Sequence, residues 1–290
     1  MTTPATRTVT IGGDLAVGPI GYGAMQLTGP KVWGPYPDHD HGIALLRSAV
    51  DLGVTFVDTA DVYGPHSNEE LIREALHPYP RDLVIATKGG FVRGGPEYTD
   101  LGAVGNRNYL RQAAYLSARR LGLDHLDLYY LHTPTMTDAP FEEMIATLAQ
   151  LRQDGLIRHI GLSNVSGDQL RTALAITEIA AVTVHYNIAE RGGAAVGQIA
   201  RSTGIVFSPW HPGVIPRDEN ARAVIDPIAA EHHATARQIA LAWQLHRGEH
   251  TLPIPGTTSI EHLEDNIAAG RIALSPTEVA AITALAAEEV

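Results

Sequence analysis

The feature that most constrains the fold is a pattern that recurs eight times along the chain: a short apolar segment, a polar loop and an amphipathic helical segment. This alternation is typical of parallel β-strands joined by crossover helices. It continues without a linker or a change in composition, which favours a closed barrel over an open, doubly wound sheet. We therefore predict an α/β fold, a (β/α)8 TIM barrel that forms one domain over residues 1–290.

Apolar runs and capping residues give the predicted boundaries. The eight strands are predicted at residues 20–23, 55–58, 83–88, 126–132, 157–163, 182–186, 205–208 and 252–255. The eight barrel helices are predicted at 41–52, 68–76, 108–121, 141–153, 167–176, 194–202, 236–246 and 259–268, with Ser166 and Thr235 as helix caps. An N-terminal β-hairpin (8–11 and 15–17) and two extra helices (223–233 and 276–288) lie outside the repeat.

Charge and composition limit the class of partner. The chain has 21 basic and 32 acidic residues, a net charge of −11, and the acidic residues are spread along it. Nucleic acids and anionic membranes require a basic patch, so neither is expected as a partner. The absence of cysteine excludes disulfides and thiol catalysis. Without a secretion signal or a long apolar run, a cytoplasmic protein is expected, and a monomer is favoured over an oligomer.

Four polar residues stand at the ends of neighbouring predicted strands. Asp58 ends the second strand, Lys88 the third and His132 the fourth, and Tyr63 follows in the loop after the second. Because the carboxyl ends of barrel strands meet at one mouth, we expect these side chains to converge. There the Lys88 ammonium would lower the pKa of Tyr63 from its usual value of about 10, Asp58 would hold the ammonium, and His132 would bond the same oxygen. Such a set suits protonation of a carbonyl oxygen.

Two long loops rich in Gly and Pro follow the third and seventh strands, at residues 89–105 and 209–220. Loops of this length in a compact domain are often functional. Both would lie at the carboxyl ends of the strands, where barrel enzymes keep their active sites.

The sequence around these residues resembles the aldo-keto reductases along essentially the whole chain. The matching motifs are Gly21-Tyr22-Gly23-Ala24-Met25, Asp58-Thr59-Ala60-Asp61-Val62-Tyr63-Gly64, Ala86-Thr87-Lys88, Tyr130-Leu131-His132, Gly161-Leu162-Ser163-Asn164, Ile254-Pro255-Gly256-Thr257 and Asn266. The resemblance implies an enzyme, an NAD(P)H-dependent oxidoreductase that binds its cofactor across the barrel mouth. It makes Tyr63 the general acid, Lys88 and Asp58 its tuning pair, and His132 the group that orients the substrate carbonyl.

The resemblance also implies the cofactor contacts. Ser163 and Asn164 match the pair that bonds the nicotinamide carboxamide, and His185 stands where many members have a glutamine. The complete predicted set is Gly23, Ala24, Met25, Asp58, Ser163, Asn164, His185, Tyr186, Ser208, Pro209, Trp210, Gly256, Thr257, Thr258, His262, Asp265 and Asn266.

Some aldo-keto reductases carry Lys at the position of Gly256 and Arg at the position of His262. Members that have Pro-Gly-Thr at this point, as this chain does, resemble NADPH users in which backbone N–H groups at a helix start receive phosphate. We therefore expect NADPH as the cofactor, with NADH as the alternative.

The expected substrate is a small-molecule carbonyl compound, and the residues predicted to contact it are Met25, Trp33, Tyr36, Phe91, Tyr98, Trp210 and His211. The segments 21–30 and 63–66 are similar to those of bacterial pyridoxal reductases, which makes pyridoxal one candidate and a secondary-metabolite carbonyl another. The alternative function is a cofactor-binding redox sensor or regulatory module on the same barrel. No metal is expected, because the pairs His39/His41 and His232/His233 lack the spacing of a metal motif.

Overall fold

The computed structural model describes residues 7–286. In chain order its strands are β1 (Val9–Ile11), β2 (Leu15–Val17), β3 (Tyr22–Gly23), β4 (Phe56–Asp58), β5 (Val84–Gly89), β6 (Phe91–Arg93), β7 (Leu101–Ala103), β8 (Leu126–Leu131), β9 (Ile157–Ser163), β10 (Ala181–His185) and β11 (Val206–Trp210). Seven of them form one parallel sheet in the order β11-β10-β9-β8-β5-β4-β3. This is the parallel sheet that the sequence predicts.

Residues 251–255 close the ring between β11 and β3, where an eighth strand is predicted. The amides of Leu252 and Ile254 donate to β11, and Pro253 and Pro255 accept from the amides of Gly21 and Gly23 on the other side. A proline has no N–H, so this segment cannot donate at every ladder position. The prediction of a regular strand at 252–255 is therefore wrong, although the segment occupies the eighth place in the barrel.

The helices alternate with the strands as predicted, with ends that shift by up to five residues. They are α1 (His39–Asp51), α2 (Ser67–Leu76), α3 (Arg107–Leu121), α4 (Phe141–Gln153), α5 (Gly167–Ile176), α6 (Ala194–Thr203), α7 (Glu219–Glu231), α8 (Ala236–Leu245), α9 (Ile260–Ala268) and α10 (Pro276–Thr283). Reciprocal capping boxes start α5 at Ser166 and α8 at Thr235, which confirms these two predicted caps, and a third capping box starts α10 at Ser275. The predicted helix 276–288 ends early, and its last two positions lie outside the described residues.

Two apolar cores support the barrel mouth. One lies between the sheet and the helices, and its largest side chain is Trp243. The other fills the barrel and combines strand residues such as Phe56 and Tyr130 with Ile11 and Val17 of the β1–β2 hairpin. Because the hairpin residues pack with Val84 and Ala181, which begin their strands, the hairpin covers the amino end of the barrel. The carboxyl end is left for the loops.

The long loop after β5 has structure that the sequence did not reveal. It contains the antiparallel pair β6 and β7, which the predicted barrel lacks. Arg93 on β6 holds this hairpin against the loop after β3: its guanidinium lies 5.4 Å from the ring centroids of both Trp33 and Tyr98. None of the helices between residues 7 and 286 combines the length and apolar character that a membrane span requires.

Candidate active site

The four predicted catalytic side chains line one cavity of about 530 Å³ at the carboxyl ends of the strands, here called the active-site cavity. Asp58 is the last residue of β4, Lys88 is the last but one residue of β5, and His132 directly follows β8. Tyr63 comes from the loop between β4 and α2. Because β4, β5 and β8 are hydrogen-bonded neighbours in parallel register, their ends present these groups together.

Lys88 is buried and paired at the centre of this group. Its ammonium donates to Oδ1 of Asp58 and, at 2.8 Å, to the carbonyl oxygen of Thr59. Burial alone would lower the pKa of Lys88, but the charge of Asp58 and the proximity of Tyr63 raise it above its ordinary value. Lys88 is therefore an ammonium ion at neutral pH, and its Nζ lies 5.3 Å from the centroid of the Tyr63 ring.

The pKa of Tyr63 departs from the sequence-based expectation. Burial raises this pKa, and the opposing effect of the Lys88 charge does not fully offset it. The Lys88 charge does lower the pKa of Tyr63, as predicted, but burial outweighs this effect and leaves the pKa above its usual value. The consequence is a phenol that holds its proton at neutral pH, the form required of a proton donor.

His132 presents an uncharged imidazole to the same cavity. Its ring meets the Tyr63 ring edge-on at 5.9 Å between centroids and the Phe91 ring at 4.7 Å. Burial first, and the nearby Lys88 charge second, hold the pKa of His132 well below its ordinary value. Its Nδ1 is buried and has no hydrogen-bond partner within residues 7–286. A neutral ring of this kind can hold a carbonyl oxygen through one nitrogen.

The cavity wall beside the four predicted catalytic residues carries polar groups from the ends of β9 and β10. Asn164 donates through Nδ2 to Oγ of Ser163 at 2.9 Å and accepts at Oδ1 from the indole of Trp210 at 3.0 Å. Asn164 adopts a left-handed conformation with φ 58°, which asparagine tolerates better than most residues. Thr183 of β10 also lines the cavity, and its buried Oγ1 finds no partner among the described side chains and backbone.

Two glycines allow the backbone to come close at the next part of the wall. A Cβ on Gly23 would lie 2.8 Å from the carbonyl oxygen of Ile254, and a Cβ on Gly256 would lie 2.8 Å from that of Gly23. Neither position therefore accepts a side chain without a backbone shift. Both glycines line the active-site cavity, as the sequence predicts.

Arg237 is a cavity residue that the sequence-based prediction missed. It is the second residue of α8, and its guanidinium donates to Oδ1 of Asn266 at 3.0 Å and to the carbonyl oxygen of Gly256 at 3.2 Å. Arg237 precedes Gly256 by 19 residues and lies on a different element, so the sequence does not show that the two are in contact. The signal that could have found it is a basic residue in the first turn of a barrel helix, two residues after the cap Thr235.

The predicted residues around α9 lie behind the cavity wall. Asn266 holds Arg237, and Thr258 accepts a hydrogen bond from His41 at its carbonyl oxygen. The five members of this set that do not line the cavity are Thr257, Thr258, His262, Asp265 and Asn266. His262 is exposed, and its amide is capped by Ser259.

Other predicted cofactor residues serve the barrel itself. Tyr186 is buried against Trp243 with ring centroids 5.8 Å apart, and the Ser208 hydroxyl donates to the carbonyl of Leu252 across the closing segment. Ala24 and Pro209 are likewise buried away from the cavity. The side chains of these four residues therefore do not line the cavity, and their predicted cofactor contacts stay a prediction.

His185 does not line the cavity either, although Trp210 does. The imidazole stacks on the Trp210 indole with centroids 4.1 Å apart and ring planes 9° apart. It therefore supports Trp210 from behind. Thr183, two residues earlier on the same strand, takes the cavity-facing place that the sequence comparison gave to His185.

The rest of the cavity lining is largely apolar. Met25, Phe91, Tyr98, Trp210 and His211 line it as predicted, and the contributors missed from the sequence include Gln26, Val32, Val62, Arg93, Leu101 and Val214.

Two predicted substrate residues lie outside the cavity lining. Trp33 packs on Arg93, and Tyr36 packs near His41 on α1. Arg93 and Leu101 belong to the β6–β7 hairpin, which explains why a barrel pattern alone does not reveal them.

A buried charged group supports the loop that carries Tyr63. Glu69 on α2 accepts from Thr87 Oγ1 at 2.6 Å and from Arg120 Nε at 2.5 Å. Asn68 accepts from Thr59 and donates to backbone carbonyls of the loop after β3. These bonds fix the two ends of the loop relative to each other. Within residues 7–286 no cluster of three or more His, Asp or Glu residues could hold a metal ion.

Comparisons with a family model and with known proteins identify the same family. The aldo/keto reductase family model matches residues 19–287. Pyridoxine 4-dehydrogenase of Escherichia coli is 42% identical over 272 residues, covering 91% of this chain and 93% of that enzyme.

Solved structures agree with this match. The thermostable aldo-keto reductase Tm1743, in complex with the inhibitor epalrestat, superposes with a TM-score of 0.85 at 29% identity, over 96% of this chain and 99% of that one. An aldo-keto reductase from Klebsiella pneumoniae in complex with NADPH superposes with a TM-score of 0.79 at 28% identity, over 97% and 95% of the two chains. These matches confirm the predicted barrel and the prediction of an oxidoreductase. The chain belongs to the aldo/keto reductase family.

Proposed function

We propose that this protein reduces the carbonyl group of a small aldehyde to an alcohol with NADPH, and that pyridoxal is a substrate. The observation that carries the proposal is the meeting of Tyr63, Lys88, Asp58 and His132 in one cavity, with the tyrosine protonated and the histidine uncharged. Each group is thus in the form needed to bind a carbonyl oxygen and protonate it.

The cavity wall fits a nicotinamide dinucleotide. Thr183 offers a buried hydroxyl that has no hydrogen-bond partner among residues 7–286, beside the amide of Asn164. Gly23 and Gly256 leave a stretch of wall without side chains, where an extended ligand can lie against the backbone. When bound, the reduced nicotinamide supplies a hydride to the carbonyl carbon. Ser163, Asn164 and Thr183 would hold its carboxamide.

The residues of this chain supply the proton and hold the charges that follow. His132 orients the carbonyl oxygen, and the Tyr63 phenol transfers its proton to that oxygen as the carbon is reduced. The phenolate that remains is stabilised by the Lys88 ammonium, whose own charge is balanced by Asp58. The alcohol product therefore carries the proton of Tyr63.

Two observations support pyridoxal as the substrate. The Escherichia coli relative at 42% identity is named a pyridoxine 4-dehydrogenase, and oxidation of the pyridoxine alcohol is the reverse of pyridoxal reduction. The cavity also offers aromatic and apolar side chains that suit a flat ring, namely Met25, Phe91, Tyr98 and Trp210.

The test measures NADPH oxidation by the purified protein with pyridoxal. Tyr63→Phe should remove turnover and leave NADPH binding intact, because the ring is kept and only the proton donor is lost. Turnover that survives in Tyr63→Phe would remove Tyr63 as the acid. If NADPH binds but neither pyridoxal nor a panel of other aldehydes and ketones accelerates its oxidation, the proposal fails in favour of a cofactor-binding sensor.

A further inference from the structure

Arg237 places a positive charge in the wall of the active-site cavity without a carboxylate to balance it. Among the described residues its guanidinium forms no ion pair, and its hydrogen bonds go to the neutral acceptors Asn266 Oδ1 and Gly256 O. Burial of the guanidinium lowers its pKa, and no neighbouring carboxylate offsets that effect. An arginine held in this way is stabilised by an anionic ligand.

The guanidinium is held in place and still has N–H groups to offer. The hydrogen bonds use its Nε and Nη2, at 3.0 and 3.2 Å, so donors remain on Nη1. The side chain also packs over Gly213, where a Cβ would come within 3.1 Å of Arg237 Cγ. Asn266, only 2% exposed, has an Nδ2 group for which residues 7–286 provide no partner. Nη1 of Arg237 and Nδ2 of Asn266 are thus neighbouring donors that form no hydrogen bond to the described residues.

The other cations of the cavity wall are already engaged. Lys88 is paired with Asp58. Arg93 donates to the carbonyl oxygens of Gly95, Lys31, Pro96 and Glu97, and its face is covered by aromatic rings. Within the described part of the chain, Arg237 is therefore the lining cation that has donors to spare for a ligand.

The position of Arg237 in the fold indicates which anion it binds. The loop from Gly256 to His262 contains no Lys or Arg, whereas some aldo-keto reductases carry a positive charge at both of these positions. Arg237 reaches this loop from α8 and bonds the carbonyl oxygen of Gly256 itself. It thereby brings one positive charge to the loop from a different helix.

We propose that Arg237 binds the 2′-phosphate of NADPH and makes the protein select NADPH over NADH. The inference rests on the proposed function, because it assigns a contact to the cofactor named there. Arg237 is a binding residue and takes no part in the proton transfer at Tyr63.

The experiment measures binding alone, by titration calorimetry without substrate. Adenosine 2′,5′-bisphosphate carries the 2′-phosphate, and 5′-AMP lacks it. Arg237→Met should weaken binding of the bisphosphate and of NADPH by about tenfold to hundredfold, the range for a lost charge-assisted bond, and leave 5′-AMP and NADH within about twofold. Arg237→Lys should recover part of the loss, because it keeps the charge without the fork geometry.

Arg81→Met is the matched control. It removes the same charge from the exposed loop before β5, at the opposite end of the barrel, and should leave all four affinities unchanged. Equal losses for ligands with and without the 2′-phosphate, or no loss at all, would overturn the assignment of Arg237. Wild-type protein that binds neither NADPH nor NADH would refute the proposed function as well, so the two failures are distinguishable. Thermal unfolding followed by circular dichroism confirms that each variant is folded.

Discussion

Trp210 and Asn164 are joined across the wall of the active-site cavity by a hydrogen bond of 3.0 Å from the indole Nε1 to the amide Oδ1. The bond decides which way the amide points, because its Nδ2 must then face Ser163 and the carbonyl of His132. His185, stacked behind the indole, keeps Trp210 in place. Residues at the ends of β9, β10 and β11 thus together orient the side-chain amide of Asn164.

Trp210→Phe should weaken NADPH binding by about fivefold, because it keeps an aromatic ring but removes the donor that orients Asn164, a loss of about 1 kcal/mol. Binding can be followed through the fluorescence of the bound nicotinamide. Trp33→Phe is the control, since Trp33 lies outside the cavity lining, and its NADPH affinity should match that of the wild type. Equal effects of the two substitutions would contradict a specific role for the Trp210–Asn164 bond.

The rate of carbonyl reduction should be nearly constant between about pH 6 and pH 9 and decline only above about pH 10. Burial raises the pKa of Tyr63, so its phenol keeps its proton through this range and loses it only at higher pH. The pKa of His132 is held well below its ordinary value, so the imidazole does not gain a proton until the pH falls below this range. The measurement is the rate at saturating NADPH and aldehyde across the range. A midpoint near pH 6.5 would show that His132 titrates and contradict the buried, neutral ring.

Glu69→Gln should lower the free energy of unfolding by about 3 kcal/mol, because it leaves the partly buried Arg120 without its counter-charge. The measurement is urea unfolding followed by circular dichroism. The neighbouring Glu70 is exposed on the same helix, and Glu70→Gln should change the free energy by no more than about 0.5 kcal/mol. A loss of equal size in both variants would show that the Glu69–Arg120 pair does not support the fold.

The sequence was sufficient to predict the barrel and the convergence of Asp58, Tyr63, Lys88 and His132 on one cavity, because both depend on local signals. Apolar runs and capping residues mark the strands and helices, and Asp58, Lys88 and His132 stand where those runs end. The β6–β7 hairpin could not be predicted in this way, since strands of three residues in a Gly-rich loop have no periodicity to detect.

Contacts between distant elements explain the remaining differences. Arg237 reaches the cavity only because α8 begins beside Gly256, a relationship set by packing. Burial raises the pKa of Tyr63, and the sequence identifies the neighbouring charges but not how deeply the side chain is buried. Thr183 and His185 are two residues apart on β10 and so project from the same face of the sheet, but only Thr183 lines the cavity, whereas His185 at the end of the strand stacks on Trp210.

The segment 251–255 that closes the barrel contains two prolines, which cannot donate backbone hydrogen bonds. Leu252 and Ile254 donate to β11, and the Ser208 hydroxyl adds a bond to the carbonyl oxygen of Leu252. Gly256 directly follows this segment and lies against Gly23 of the neighbouring strand. A ligand that rests on both glycines stabilises the closed ring by mass action. Occupancy of the site and resistance of the whole barrel to opening are therefore thermodynamically linked.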